Sequence, residues 1–150
     1  MRNKNLISIG SDHAGFGLKQ RIISYLNDSN YIVKDFGCYS EDSVDYPEIA
    51  YNVGSSICDL SGDFGILICG SGSGMSIVAN KVKNVRAVNC FSLEMAELAV
   101  QHNDANILCL GARYIPNETA IEIVETFLKS KFQFGRHQIR VDKIHKITGV

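Results

Sequence analysis

Two hydrophobic periodicities alternate along this chain. Short apolar or β-prone runs at 6–9, 31–36, 66–69, 86–90 and 107–110 have strand length. Between them apolar residues recur every three or four positions, as on one face of a helix. Leu18, Ile22 and Leu26 mark a helix over 15–27, and Ile49, Val53 and Ile57 mark one that follows Pro47, a residue suited to a helix's first turn. A third helix runs from about 74 to 81. Ser92 is placed as an N-cap, with Glu94 in the first turn and Ala96, Ala99 and Val100 facing inward. Residues 116–118 open a helix that turns Ile121, Val124 and Leu128 inward, while 38–46 are loop-like. Strands alternating with helices predict a three-layer α/β domain, a five-stranded parallel sheet with helices on both faces in the Rossmann-like manner.

Residues 131–150 follow after that sandwich is complete. Ile139, Val141, Ile144 and Ile147 give this tail an apolar side, and Arg136, Arg140, Lys143 and Lys146 charge it, opposed by Asp142 alone. Such a C-terminal tail helix is expected to pack on a second copy of the chain in a homodimer. No repeat, linker or low-complexity segment interrupts the sequence, so 1–150 is read as one domain.

Composition narrows the partners. A chain of 150 residues with 45% hydrophobic and 21% charged residues is ordinary for a globular domain. A net charge of −1 argues against nucleic acid as the main partner. No window approaches the length of a membrane span, and the N-terminal apolar run is too short for a signal peptide. Five widely spaced cysteines without a C-x-x-C fit reduced thiols in a cytoplasmic protein. No Cys/His set has metal-ligand spacing, so neither a metal nor a cofactor is expected.

Candidate chemistry concentrates in Gly65 to Lys81. A buried strand ends in Cys69, and Gly70, Gly72 and Gly74 follow at every second position before a helix. A strand feeding a glycine turn and a helix N-terminus lines a concavity with backbone N–H groups, which holds anions and favours thiolate at its lip. The loop is neither a P-loop nor a dinucleotide fingerprint, and Met75 stands where a cysteine phosphatase would need an arginine. A tight turn beside a structural cysteine accounts for the same pattern, so the bare motif leaves both readings open. Cys38, Cys58, Cys90 and Cys109 read as structural.

Ligands of open parallel sheets bind beyond the carboxyl ends of the strands. Asp12 and His13 follow the first strand, Cys69 to Gly74 the third and Arg113 the fifth, while His102 and Asn103 close the helix before the fifth. Their shared position is the argument for a site. Each cluster also has a bland reading: an N-cap aspartate beside a surface histidine, or a histidine favouring a helix C-terminus. Arg136 and Arg140 share one helical face, as either a solvated pair or a phosphate clamp.

Assembled in order, these segments resemble ribose-5-phosphate isomerase of type B, in the family that includes allose- and galactose-6-phosphate isomerases. The resemblance rests on residues 10–15 (GSDHAG), 45–47 (DYP), 68–81 (ICGSGSGMSIVANK), 101–104 (QHND), 111–113 (GAR) and 135–140 (GRHQIR), and covers roughly 4–145. It implies interconversion of D-ribose 5-phosphate and D-ribulose 5-phosphate through a cis-enediolate, a step of the non-oxidative pentose phosphate pathway. It implies Cys69 as the base and His102 as the ring-opening group. Asp12, Tyr46, Asn103 and the loop Gly70, Ser71, Gly72, Ser73 and Gly74 would hold sugar and oxyanion. His13, Arg113, Arg136 and Arg140 would receive phosphate. It further implies sites shared between two subunits, in a homodimer and possibly a tetramer. Members that lack the cysteine use a glutamate where this chain has Met75, which places it in the cysteine-using branch. Ser71, often threonine in relatives, keeps the hydroxyl. A six-carbon sugar phosphate, or a sugar-phosphate binding module without catalysis, remains the alternative.

Overall fold

A computed structural model describes residues 6–58 and 64–150. Five parallel strands, β1 (Leu6–Ser11), β2 (Ile32–Asp35), β3 (Phe64–Cys69), β4 (Ala87–Asn89) and β5 (Ile107–Gly111), form one sheet in the order β2-β1-β3-β5-β4. The helices are α1 (Phe16–Asp28), α2 (Tyr46–Cys58), α3 (Ser73–Ala79), α4 (Leu93–Asn103), α5 (Asn117–Lys129) and α6 (Arg136–Thr148). The expected three-layer parallel architecture is what the chain adopts.

Period-two alternation splits the strand residues between two cores. Ile66 and Ile68 of β3 and Leu108 and Leu110 of β5 join Leu18, Ile22, Ala96, Val124 and Phe127 from α1, α4 and α5. Leu67, Cys69, Ile107 and Cys109 point the other way, onto Ile49, Val53, Met75 and Ala79 of α2 and α3. Burial of each large aliphatic side chain contributes about 1.5–3 kcal/mol. Gly10 lets α2 approach β1, because a Cβ there would stand 2.5 Å from Ile49 Cγ2.

This division determines where a ligand fits. β1 and β5 lead into α1 and α5 on one face, whereas β3, lying between them, leads into α3 on the other. The connections diverge on both flanks of β3, which opens crevices at its carboxyl end.

Three element readings need correction. On α5 the buried stripe is Ala120, Ile123, Val124, Phe127 and Leu128, with Ile121 only partly buried, because the helix seats between α1 and α4 rather than on the sheet alone. α2 begins at Tyr46, inside the stretch read as loop. α3 stops at Ala79, where the Asn80 side chain bonds both backbone groups of Ala87 and draws the chain toward β4. Ser92 caps α4 as expected, its Oγ accepting the Met95 N–H at 3.2 Å. The tail forms α6, whose buried residues are His137 and Val141, while Ile139 and Ile147 are 60% and 81% exposed.

Candidate active site

The carboxyl ends of β1, β3 and β5 gather one set of side chains. Ser11 pairs in register with Ile68, and Cys69 with Gly111, so Asp12, Cys69 and Arg113 lie at or just past the carboxyl ends of three neighbouring strands. Asp12 is buried, and its Oδ1 accepts the Gly15 N–H at 3.0 Å, which folds the β1–α1 turn. His13 Nδ1 accepts the Val44 N–H at 3.2 Å, leaving Nε2 as the ring's donor when the imidazole is neutral. Tyr46 enters at the start of α2, its ring so close to the loop that a Cβ on Gly74 would lie 2.5 Å from its Cζ. The exposed Arg113 guanidinium lies over Gly70, 2.9 Å from where that residue's Cβ would be, and the Arg113 N–H donates to the Gly70 carbonyl at 3.1 Å.

The glycine loop turns back on the cysteine. Gly72 has φ +79°, in the left-handed region that suits glycine, and its N–H donates to Cys69 Sγ at 3.1 Å. The first amides of α3 lack carbonyl partners within the helix and carry its positive end. Ser71 Oγ accepts the Ser73 N–H at 3.3 Å, which leaves its O–H to donate. The sulfur thus belongs both to the core beneath α2 and α3, at 5% exposure, and to the lip of an amide-lined turn.

A second set stands elsewhere. His102 and Asn103 close α4, and Arg136 and Arg140 lie on the first turns of α6. Gln133 fastens the two segments, its N–H donating to the Gln101 carbonyl and its Nε2 to Gln101 Oε1, both at 3.0 Å. The His102 and His137 rings stack with centroids 4.3 Å apart and planes 5° from parallel. Burial, then His102, then Arg136 and Arg140 hold His137 below the usual histidine value.

The two sets do not meet within one chain. Cys69 is level with Gly111 at the carboxyl end of β5, whereas α4 runs back along the sheet and delivers His102 before Asn106, at the amino end. The five steps from Asn106 to Gly111 rise roughly 16 Å at strand spacing. The expectation that His102 and Asn103 share the carboxyl-end position is therefore corrected: an antiparallel helix following β4 must end at the opposite end of the strands.

Several supporting residues escaped the sequence reading. Asn89 Nδ2 donates to the Ser71 carbonyl at 3.0 Å, and its Oδ1 sits so near Gly72 that a Cβ there would be 2.3 Å away. Lys19, fully buried, bonds Asp35 at 2.7 and 2.9 Å and the Cys38 carbonyl at 2.5 Å, tying α1 to the turn after β2. Arg86 donates to the carbonyls of Asn103 and Asp104 and pairs with Asp104 at 2.9 Å, which fixes the end of α4. Lys19, a charged residue beside Leu18 in the stripe Leu18, Ile22 and Leu26, reads as surface from local pattern, and neither Asn89 nor Arg86 belongs to a motif. Cys90 and Cys109 are buried, and burial pushes the Cys90 thiol up to about 11 and Cys109 well above the usual thiol value. Cys38 is half-buried; the Cys58 side chain lies outside the described residues. Among the described residues, no helix is long and apolar enough to cross a membrane, and no group of three His, Cys, Asp or Glu is placed to hold a metal.

Comparison with known proteins matches residues 7–144 to the Ribose/Galactose Isomerase family. The ribose-5-phosphate isomerase B of Escherichia coli is 43% identical over 141 residues, covering 94% of this chain and 95% of that protein. The solved ribose-5-phosphate isomerase B of Clostridium thermocellum superposes with a TM-score of 0.95 at 46% identity, covering 96% of this chain and 97% of that one. The Mycoplasma genitalium enzyme, solved with bound ribulose-5-phosphate, superposes at 0.92 with 43% identity and 96% coverage of both chains. Near-complete coverage at such identity, on a closely superposing fold, makes this chain a member of the ribose/galactose isomerase family.

Proposed function

We propose that the chain interconverts D-ribose 5-phosphate and D-ribulose 5-phosphate, in sites assembled from two copies. The observation that carries this reading is Cys69 Sγ at the carboxyl end of β3, accepting the Gly72 N–H beside an amide-lined turn. His102 passes a proton between the anomeric hydroxyl and the ring oxygen, which opens the furanose. The Cys69 thiolate removes the proton from the second carbon. The C–H electron pair moves toward the first carbon's carbonyl, whose oxygen becomes the enediolate oxyanion held by loop amides and the Ser71 hydroxyl. The thiol returns that proton to the first carbon, and the second oxygen's proton moves to the first oxygen, leaving the ketose. Asp12, Tyr46 and Asn103 hold hydroxyls, and His13, Arg113, Arg136 and Arg140 hold the phosphate.

The separation of the two residue sets supports a homodimer: Cys69 of one copy needs His102 of another, and the exposed apolar side of α6 supplies surface for the contact. Whether such dimers pair into tetramers is read from the purified protein's mass in solution. One assay tests the chemistry. Wild type and Cys69→Ala are given ribose 5-phosphate, allose 6-phosphate and galactose 6-phosphate. Fast conversion of the pentose by wild type, lost at least about 1,000-fold in the variant, is expected for a base acting in the rate-limiting proton transfer. Preference for either hexose would move the substrate within the family, and near-normal turnover by Cys69→Ala would remove the assigned base.

A further inference from the structure

We propose that His137 is a positioning residue for ring opening, acting through the face of the His102 imidazole. This rests on the ring-opening role given to His102 above. The two rings lie almost parallel, at 4.3 Å between centroids and 5° between planes, and His137 is only 6% exposed although both arginines beside it on α6 are exposed. A residue on the first turn of a tail helix would ordinarily face water. Here the backbone is bent to turn it inward: Phe134 has φ +57° and Gly135 φ +56°, and the His137 N–H donates back to the Phe134 carbonyl at 3.0 Å. A left-handed phenylalanine costs about 1–2 kcal/mol and persists only where its surroundings enforce it. The Gln101–Gln133 pair closes the same junction.

The stack addresses a specific difficulty. His102 sits in the last turn of α4, whose backbone Arg86 pins through the Asn103 and Asp104 carbonyls, but those backbone bonds do not set the orientation of the His102 ring. A flat neighbour against one face leaves the ring free to present its nitrogens only in one plane. The groups facing His137 are His102 from α4 and Arg136 and Arg140 from its own helix, and together with burial they favour its neutral form. A neutral partner puts no charge against the face of the His102 ring. Because Arg136 and Arg140 flank His137, the same contact couples the place where phosphate would bind to the orientation of the ring-opening group.

The two halves of the reaction can be measured apart. Ribose 5-phosphate is a cyclic sugar, whereas ribulose 5-phosphate is acyclic, since the hydroxyl that would close its ring carries the phosphate. Exchange of deuterium from heavy water into the first carbon of ribulose 5-phosphate therefore reports enolisation without ring opening. In His137→Ala, turnover of ribose 5-phosphate should fall about 10- to 100-fold, the effect of misplacing a reacting group by about an ångström, with KM little changed. Deuterium exchange into ribulose 5-phosphate should stay within about twofold of wild type, and His137→Phe, which restores a flat neutral ring, should recover most of the turnover. Equal losses in both reactions, or a phenylalanine variant as impaired as the alanine one, would overturn the proposal. A wild-type protein that carries out neither reaction would instead overturn the function on which the proposal rests.

Discussion

The amide of Gly72 donates to the sulfur of Cys69 at 3.1 Å, three residues back along the chain. The bond exists because Gly72 adopts φ +79°, and it fits because Asn89 occupies the space where a Cβ would project. One glycine thus serves a steric need and an electrostatic one. In Gly72→Ala the methyl group would meet Asn89 Oδ1 at 2.3 Å in a conformation L residues rarely adopt. We expect activity to fall at least about 100-fold, as for loss of a preorganised amide, and stability to drop by about 1–2 kcal/mol. Kinetics and urea denaturation measure both. An active, fully stable variant would show that the reaction does not depend on the turn behind Cys69.

Cys69 and His102 at opposite ends of the strands make a sharp prediction about subunits. Cys69→Ala and His102→Ala chains, each inactive alone, are mixed and allowed to exchange. With random pairing half the dimers are mixed, and each has one intact site of two, so activity should recover to about one quarter of wild type. No recovery after demonstrated exchange would place both residues' action within one chain.

Arg136 and Arg140 lie one turn apart on α6, both exposed. Removing both should raise KM for ribose 5-phosphate about 10- to 100-fold or more while changing kcat less, because phosphate binding is a contact shared by ground and transition states. An unchanged KM would return the pair to a solvated surface role.

Lys19 is fully buried and paired with Asp35. Lys19→Met leaves that carboxylate without its cation, and a loss of about 3 kcal/mol is expected, the scale for breaking a buried pair from one side. The double variant with Asp35→Asn should recover part of it. Chemical denaturation midpoints decide, and a midpoint unmoved by the single substitution would make the pair energetically idle.

Stability should bend at both ends of the pH range. His137 is held below 6.5, first by burial, so the unfolded chain binds its proton before the folded one does. Stability tied to the neutral ring is intact above about pH 6.5 and is lost as pH falls through the folded value. Burial raises Cys90 from 9.0 to about 11, so there the unfolded thiol ionises first. That stability is intact below about pH 9 and declines as pH rises toward about 11. Melting temperatures across this range should show both limbs, with His137→Phe flattening the acid one and Cys90→Ala the alkaline one. A wild-type profile level at both ends would contradict the burial argument.

Much of this molecule is local and was therefore readable along the chain. Five strand runs, the stripe of Leu18, Ile22 and Leu26, the Ser92 cap and the glycine turn behind Cys69 each depend on residues within a few positions of one another, and periodicity and turn chemistry report such dependence directly. Residues that act across the fold carried no such signal. Lys19 meets Asp35 sixteen positions on, Asn89 reaches Ser71 eighteen positions back, and His137 finds His102 from the far side of α5. Strand order decides these meetings, and strand order follows from how two apolar helix layers divide the faces of one sheet, a competition that no local window contains. The same packing sent α4 back along β5 and set His102 a strand's length from Cys69. Sequence by itself determined which groups are candidates for the chemistry and, through the family resemblance, that two subunits would share them; only the tertiary structure supplied the physical reason, because a helix antiparallel to its strands must end where the strands begin and so delivers His102 away from Cys69.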